Sequence, residues 1–201
     1  VGEAVLEAVG KEDGITITSR VKSNAAISSV YPVDDFAESR LVCGNYLVTT
    51  IREHEGDYTR NAGFTLMLRE KKVFSGERLR DRFVTEALPR DDVLDLMSGF
   101  YFARNQPMEV GRTMLLHLYD GDQYAPTEVE ILRSERVHVA GLGDVETLVV
   151  HPRLTTPGFF RRTGDITVWL TADAYKVPVR METSIRLGKV TAELVSAEVE
   201  R

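Results

Sequence analysis

Cysteine is almost missing from this chain: Cys43 is the single one in 201 residues. One thiol cannot close an intramolecular disulfide or build a thiolate metal cluster. The core therefore has to be held by burial, which a chain of this size supplies without staples. Long apolar runs are missing too, and nothing approaches the ~20 residues a membrane-crossing helix needs. There is no basic surplus either. Thirty-one acidic residues against 25 basic ones give a net charge of −6, and such a field repels polyanions, which argues against nucleic acid as a partner. No charged stretch followed by an apolar one opens the sequence. Instead Val1 to Ala8 reads as the interior of a strand, so the expectation is a chain trimmed of a leader and of one early strand.

Catalytic signatures are equally scarce. There is no Gly-x-Ser-x-Gly elbow, no Cys–His pair at a recognisable spacing and no Ser-x-x-Lys set. Cys43 reads as a small, half-buried residue after a strand. None of His54, His117, His138 and His151 forms a helical His pair, and none stands two apart on a strand. A metal site would need His117, His138 and His151 to converge in space. Gly141-Leu142-Gly143 lacks the third glycine and the helix of a dinucleotide fingerprint, so it reads as a turn. No catalytic residue, metal or cofactor is expected.

What is present is alternation. Apolar residues at every second position put one face of a strand inward and the other outward. Ile15, Ile17 and Val21 alternate with Thr16, Thr18, Arg20 and Lys22. Val177, Val179, Met181, Thr183 and Ile185 alternate with Arg180, Glu182, Ser184 and Arg186. Similar runs cover 46–52, 58–69, 114–119, 127–139, 145–150 and 165–171. In the 127–139 run, Val129, Ile131, Val137 and Val139 share a face with Arg133 and Glu135, which points to an edge, a bulge or a solvated end. Turn signals fall at Glu55-Gly56-Asp57, Ser75-Gly76, Asp120-Gly121-Asp122, Gly141 to Asp144, Thr163-Gly164-Asp165 and Leu187-Gly188. The last of them pairs the Val177 strand with 189–199, where the apolar phase slips near Leu194.

One segment departs from this pattern. Asp91 and Asp92 precede Val93, Leu94, Leu96, Met97, Phe100 and Tyr101 at helical spacing, and carboxylates favour the positive end of a helix dipole. A helix over about 91–104 is expected. The fold class is therefore mainly β: a single domain with a curved antiparallel sheet or half-open barrel, and one helix packed against it.

Three places could bind something. Arg78, Arg80 and Arg82 would line one face of a strand and could recognise an anion such as a lipid head group, or simply meet Glu77, Asp81 and Glu86. Phe159 and Phe160 stand beside Arg161 and Arg162, a composition suited to amphiphile contact, although the same residues could be one arm of a hairpin turning at Thr163-Gly164. Trp169 shares a strand face with Asp165, Thr167 and Thr171, where an indole could stack on a ligand or cover the helix. Phe100 and Tyr101 on the helix complete the candidate binding set.

Several stretches also carry a family resemblance. They are Tyr31-Pro32-Val33-Asp34-Asp35, Asp92-Val93-Leu94, Met108-Glu109-Val110-Gly111, Glu146 to Leu154, Ile166 to Asp173, Lys176 to Glu182 and Val190 to Leu194. In that order they resemble an exported bacterial family, domain of unknown function 3108. The resemblance implies a periplasmic or envelope setting and no defined catalytic residues. The expected function is a non-catalytic envelope binding module holding a lipid-like amphiphile in a concave sheet. The alternatives are an assembly protein that docks an envelope partner through a sheet edge, and a hydrolase or metalloenzyme.

Overall fold

The computed structural model describes residues 2–153, 163–185 and 188–198. It is mainly β, in two sheets of seven strands each among the described residues. The first sheet is a meander of β1 (Gly2–Lys11), β2 (Gly14–Ser23), β3 (Asp34–Val42), β4 (Tyr46–Glu55), β5 (Tyr58–Met67), β6 (Lys72–Glu77) and β7 (Arg82–Ala87). Each strand pairs antiparallel with the next. A short helix, α1 (Ala25–Ser28), follows β2 and is capped by the Asn24 side chain, which accepts from the Ile27 amide. The second sheet holds β8 (Leu94–Asp95), β9 (Thr113–Tyr119), β10 (Tyr124–Val139), β11 (Gly143–Arg153), β12 (Thr163–Thr171), β13 (Pro178–Ile185) and β14 (Gly188–Glu193). Its order is β14-β13-β12-β11-β10-β9-β8, with β8 and β9 parallel. A longer helix, α2 (Leu96–Arg104), follows β8.

Two compact units divide the chain: Val1–Ser98 with Leu118–Tyr124, and Gly99–His117 with Ala125–Arg201. In the first, the register stacks Ile17, Ala37, Leu47, Ile51, Phe64, Leu66 and Val73 on one sheet face, and all seven are buried. Tyr119 closes on that layer, its ring edge-on to Phe64 at 5.0 Å. In the second unit, Val137, Val139, Val149, Trp169 and Val179 form one buried cluster, joined by Val145 and Leu194.

The expected helix begins five residues late. Asp91 and Asp92 are exposed ahead of it, and Asp92 is engaged by Arg90 at 2.7 Å instead of by helix amides. Asp95 is the residue that caps α2, accepting from the Ser98 amide at 2.9 Å. The Thr127 run does carry a bulge, between Ile131 and Arg133. It also moves the faces: Ile131 stands opposite Val150, whereas Arg133 stands opposite Val149. Val129 and Ile131 therefore lie on the other side of the sheet from Val137 and Val139, not on a shared face. Ser75-Gly76 lies inside β6 and Thr163-Gly164-Asp165 opens β12, so neither is a turn. Gly76 has a steric reason to be glycine there, since a Cβ would sit 2.5 Å from the Phe83 ring on β7. The phase slip near Leu194 falls where β14 ends.

Candidate functional site

The anticipated binding residues do not form one site. Arg78 and Arg80 sit in a 3₁₀ turn, Asp81 follows in the left-handed region at φ 49°, and Arg82 then opens β7. The strand-face stripe expected from their spacing is thus broken. The cause is local: the Glu77 side chain accepts the Leu79 amide and turns the chain before a strand can run on. All three arginines remain exposed. Phe159 and Phe160 lie outside the described residues, as does the whole Thr156–Arg162 stretch around them.

In the second unit, Phe100 and Tyr101 touch edge-on at 5.9 Å. Both rings are occupied by Arg104, whose guanidinium lies 5.5 Å and 4.9 Å from their centroids. Arg104 also donates to the Tyr175 and Lys176 carbonyls, at 3.0 and 2.8 Å. The aromatic pair is thereby used to fix the end of α2. Trp169 is buried at 5 % exposure. Its strand neighbours are polar, but Val149 stands opposite it on β11, the bulge in β10 brings Val137 and Val139 to the same side of the sheet, and Arg180 covers its ring at 5.7 Å. Beside it, Val137, Val139, Val179, Arg180 and Glu193 line a cavity of about 10 Å³, room for roughly one water.

The histidines stay apart from one another chemically. His138 is exposed and pairs with Asp144 at 2.8 Å, and His151 Nδ1 bonds the Ile166 carbonyl at 2.9 Å. Among the described residues no three His, Cys, Asp or Glu side chains are grouped to hold a metal. Cys43 is exposed, not half-buried, in a turn at φ 51°.

Three polar constellations were not evident in the sequence, and all lie in the first unit. The first centres on Asp95, 1 % exposed. Its Oδ2 accepts from Ser39 Oγ at 2.5 Å, Thr49 Oγ1 at 3.0 Å and Ser98 Oγ at 3.2 Å, while Oδ1 caps Ser98. The carboxylate ties the first turn of α2 to β3 and β4. The carboxylate and the three hydroxyls satisfy one another in the interior, as buried polar groups must.

The second is Arg60, its side chain 9 % exposed, with Asp122, Glu77 and Glu53 at 3.4, 3.7 and 3.9 Å. The third is a carboxyl neighbourhood at the start of β3. Asp35 accepts the His54 amide at 2.9 Å. Burial pushes its carboxyl up to about 6, partly opposed by that amide and reinforced by Glu55 and Asp34.

The first sheet also ends in a long edge. All ten residues of β1 are exposed, and among the described residues β1 pairs with β2 alone. Val5, Leu6 and Val9 are 52, 41 and 44 % exposed.

Two meandering sheets with a single long helix define a mainly β protein whose fold has a solved counterpart. A β-barrel-like protein of domain of unknown function DUF1849 from Brucella abortus matches with a TM-score of 0.60 at 10 % identity, over 96 % of this chain and 86 % of that one. The chain belongs to the family described as "Protein of unknown function (DUF3108)", whose pattern matches residues 1–195. No curated protein matches it.

Proposed function

We propose that this protein is a non-catalytic binding module of the bacterial cell envelope that engages a protein partner by strand addition at β1. The observation that carries this reading is the edge itself. Among the described residues, the outer side of this ten-residue strand presents a row of backbone groups with no partner strand, where soluble proteins usually shorten, bulge or cover such an edge. Strand addition draws affinity from main-chain hydrogen bonds and specificity from alternate side chains. Val5 and Val9 on one face of β1, and Leu6 on the other, supply exposed apolar contacts for those side chains.

The test is site-specific photo-crosslinking in intact cells. A crosslinker at Val5 or Val9 is expected to give one protein adduct of defined size, with none from Leu142, which is exposed at 59 % in the second unit. Absence of an adduct specific to β1 would refute strand addition.

An amphiphile lying on the inner side of the same hairpin is the second reading. It is favoured by Leu6 and Val21, which share the face of the buried layer yet are 41 and 39 % exposed. Native mass spectrometry separates the two, because a co-purifying lipid with no β1 adduct supports the amphiphile.

A further inference from the structure

We infer that Arg20, Phe36 and Arg52 form a recognition site for a phosphate group on the outer face of the first sheet. The three residues stand in one cross-strand row, Arg20 opposite Phe36 and Phe36 opposite Arg52. Both guanidiniums stack on the same half-buried ring, at 5.5 and 4.8 Å from its centroid. They reach it from the strands on either side.

Acids are close by but committed elsewhere. On β3, Asp34 and Glu38 flank Phe36 on the same face. Asp34 turns to Lys22 at 3.9 Å, and Glu38 turns to Arg40 at 3.3 Å. Glu3 and Glu7 are exposed on β1. Among the described residues, no carboxylate pairs with Arg20 or Arg52. Most other arginines among the described residues do have an acid, as Arg133, Arg136, Arg153 and Arg180 show with contacts of 2.6–2.7 Å. Arg78 and Arg80 stand on a turn, and among the described residues no aromatic ring stacks on either.

Two cations stacked on one ring without a paired carboxylate match the charge of a phosphate dianion. A single carboxylate would leave one of them unanswered. Each guanidinium also presents a planar fork that fits two phosphate oxygens. Stacking on Phe36 restricts the forks before a ligand arrives, which lowers the ordering cost of binding. This site is independent of the β1 edge, and the strand-addition reading can fail without it.

The experiment is an NMR titration of arginine Nε–Hε resonances with inorganic phosphate, against sodium chloride at equal ionic strength. Saturable shifts at Arg20 and Arg52 are expected, with a dissociation constant on the order of a millimolar, since exposed ion pairs are individually weak. The R20Q/R52Q variant should bind at least tenfold more weakly. R20K/R52K keeps the charge but not the forks, and should fall between the two. Equal shifts from chloride, or unchanged phosphate shifts in the double variant, would overturn the site. Sedimentation with vesicles containing phosphatidic acid then assigns the source. Co-sedimentation lost in R20Q/R52Q identifies a lipid phosphate, and a phosphate response without co-sedimentation identifies a soluble one.

Discussion

Replacing Asp95 with alanine should be among the most damaging single changes in the first unit. The carboxylate is 1 % exposed and accepts four hydrogen bonds. Its loss removes the cap of α2, about 1 kcal/mol. It also leaves Thr49 Oγ1 buried without its acceptor, for about 1–3 kcal/mol more. Ser39 keeps its contact with Ser98 Oγ at 2.9 Å, so its hydroxyl is not orphaned. The total is roughly 2–4 kcal/mol. For a chain of this size a loss near 3 kcal/mol lowers the melting temperature by roughly 6–12 °C. Asp95→Asn keeps the cap through Oδ1, and its amide can donate to rotated hydroxyls, so it should cost about 1 kcal/mol. Urea unfolding followed by circular dichroism, with a Thr49→Val/Asp95→Ala double-mutant cycle, measures both terms. If alanine and asparagine destabilise equally, or alanine costs less than about 0.5 kcal/mol, the carboxylate does not hold the helix to the sheet.

Arg60→Met removes the buried cation shared by Glu53, Glu77 and Asp122, and should destabilise by about 3 kcal/mol in the same urea assay; a neutral outcome would mean the three acids do not depend on Arg60. Asp35 binds a proton more readily folded than unfolded, so its contribution to stability is complete below pH ~4 and is lost as the pH rises through about 6. Asp35→Asn should flatten the stability profile across that window and stabilise the protein at neutral pH, and a carboxyl ¹³C titration midpoint below 5 would contradict the burial argument. Trp169 is the only tryptophan, so its fluorescence follows the second unit alone. Asp95→Ala should therefore shift the dichroism transition more than the tryptophan one, and equal shifts would mean that the units unfold together.

Alternation made most strands legible because their inward residues are large. Ile15, Ile17 and Val21 announce β2, and Val179 and Thr183 announce β13. β3 was silent for the opposite reason. Its inward positions include Ala37 and Ser39, 4 and 1 % exposed, and a buried serine is intelligible only once Asp95 is known to receive its hydroxyl. No local pattern carries a contact spanning 56 residues. The helix was recognised by its apolar spacing but started too early, because three aspartates precede it and composition alone does not say which one caps. The apolar cluster around Trp169 was not legible on its own strand, where the neighbours are polar, because Val149 comes from β11 and Val137 and Val139 from beyond the bulge in β10. The arginine row on Phe36 comes from three separate strands, so no spacing within the chain marks it.

On the strand-addition proposal β1 must admit a foreign strand yet refuse a second copy of itself, and the spacing of charge along it suits both demands. Two copies laid head to tail gain most greasy contact when Val5 of each meets Val9 of the other. That same alignment sets Glu7 against its own twin, two negative side chains face to face with nowhere to turn. Fibrous self-stacking is discouraged in the register that would otherwise favour it, while a foreign segment bearing a lysine at that position would find the place open.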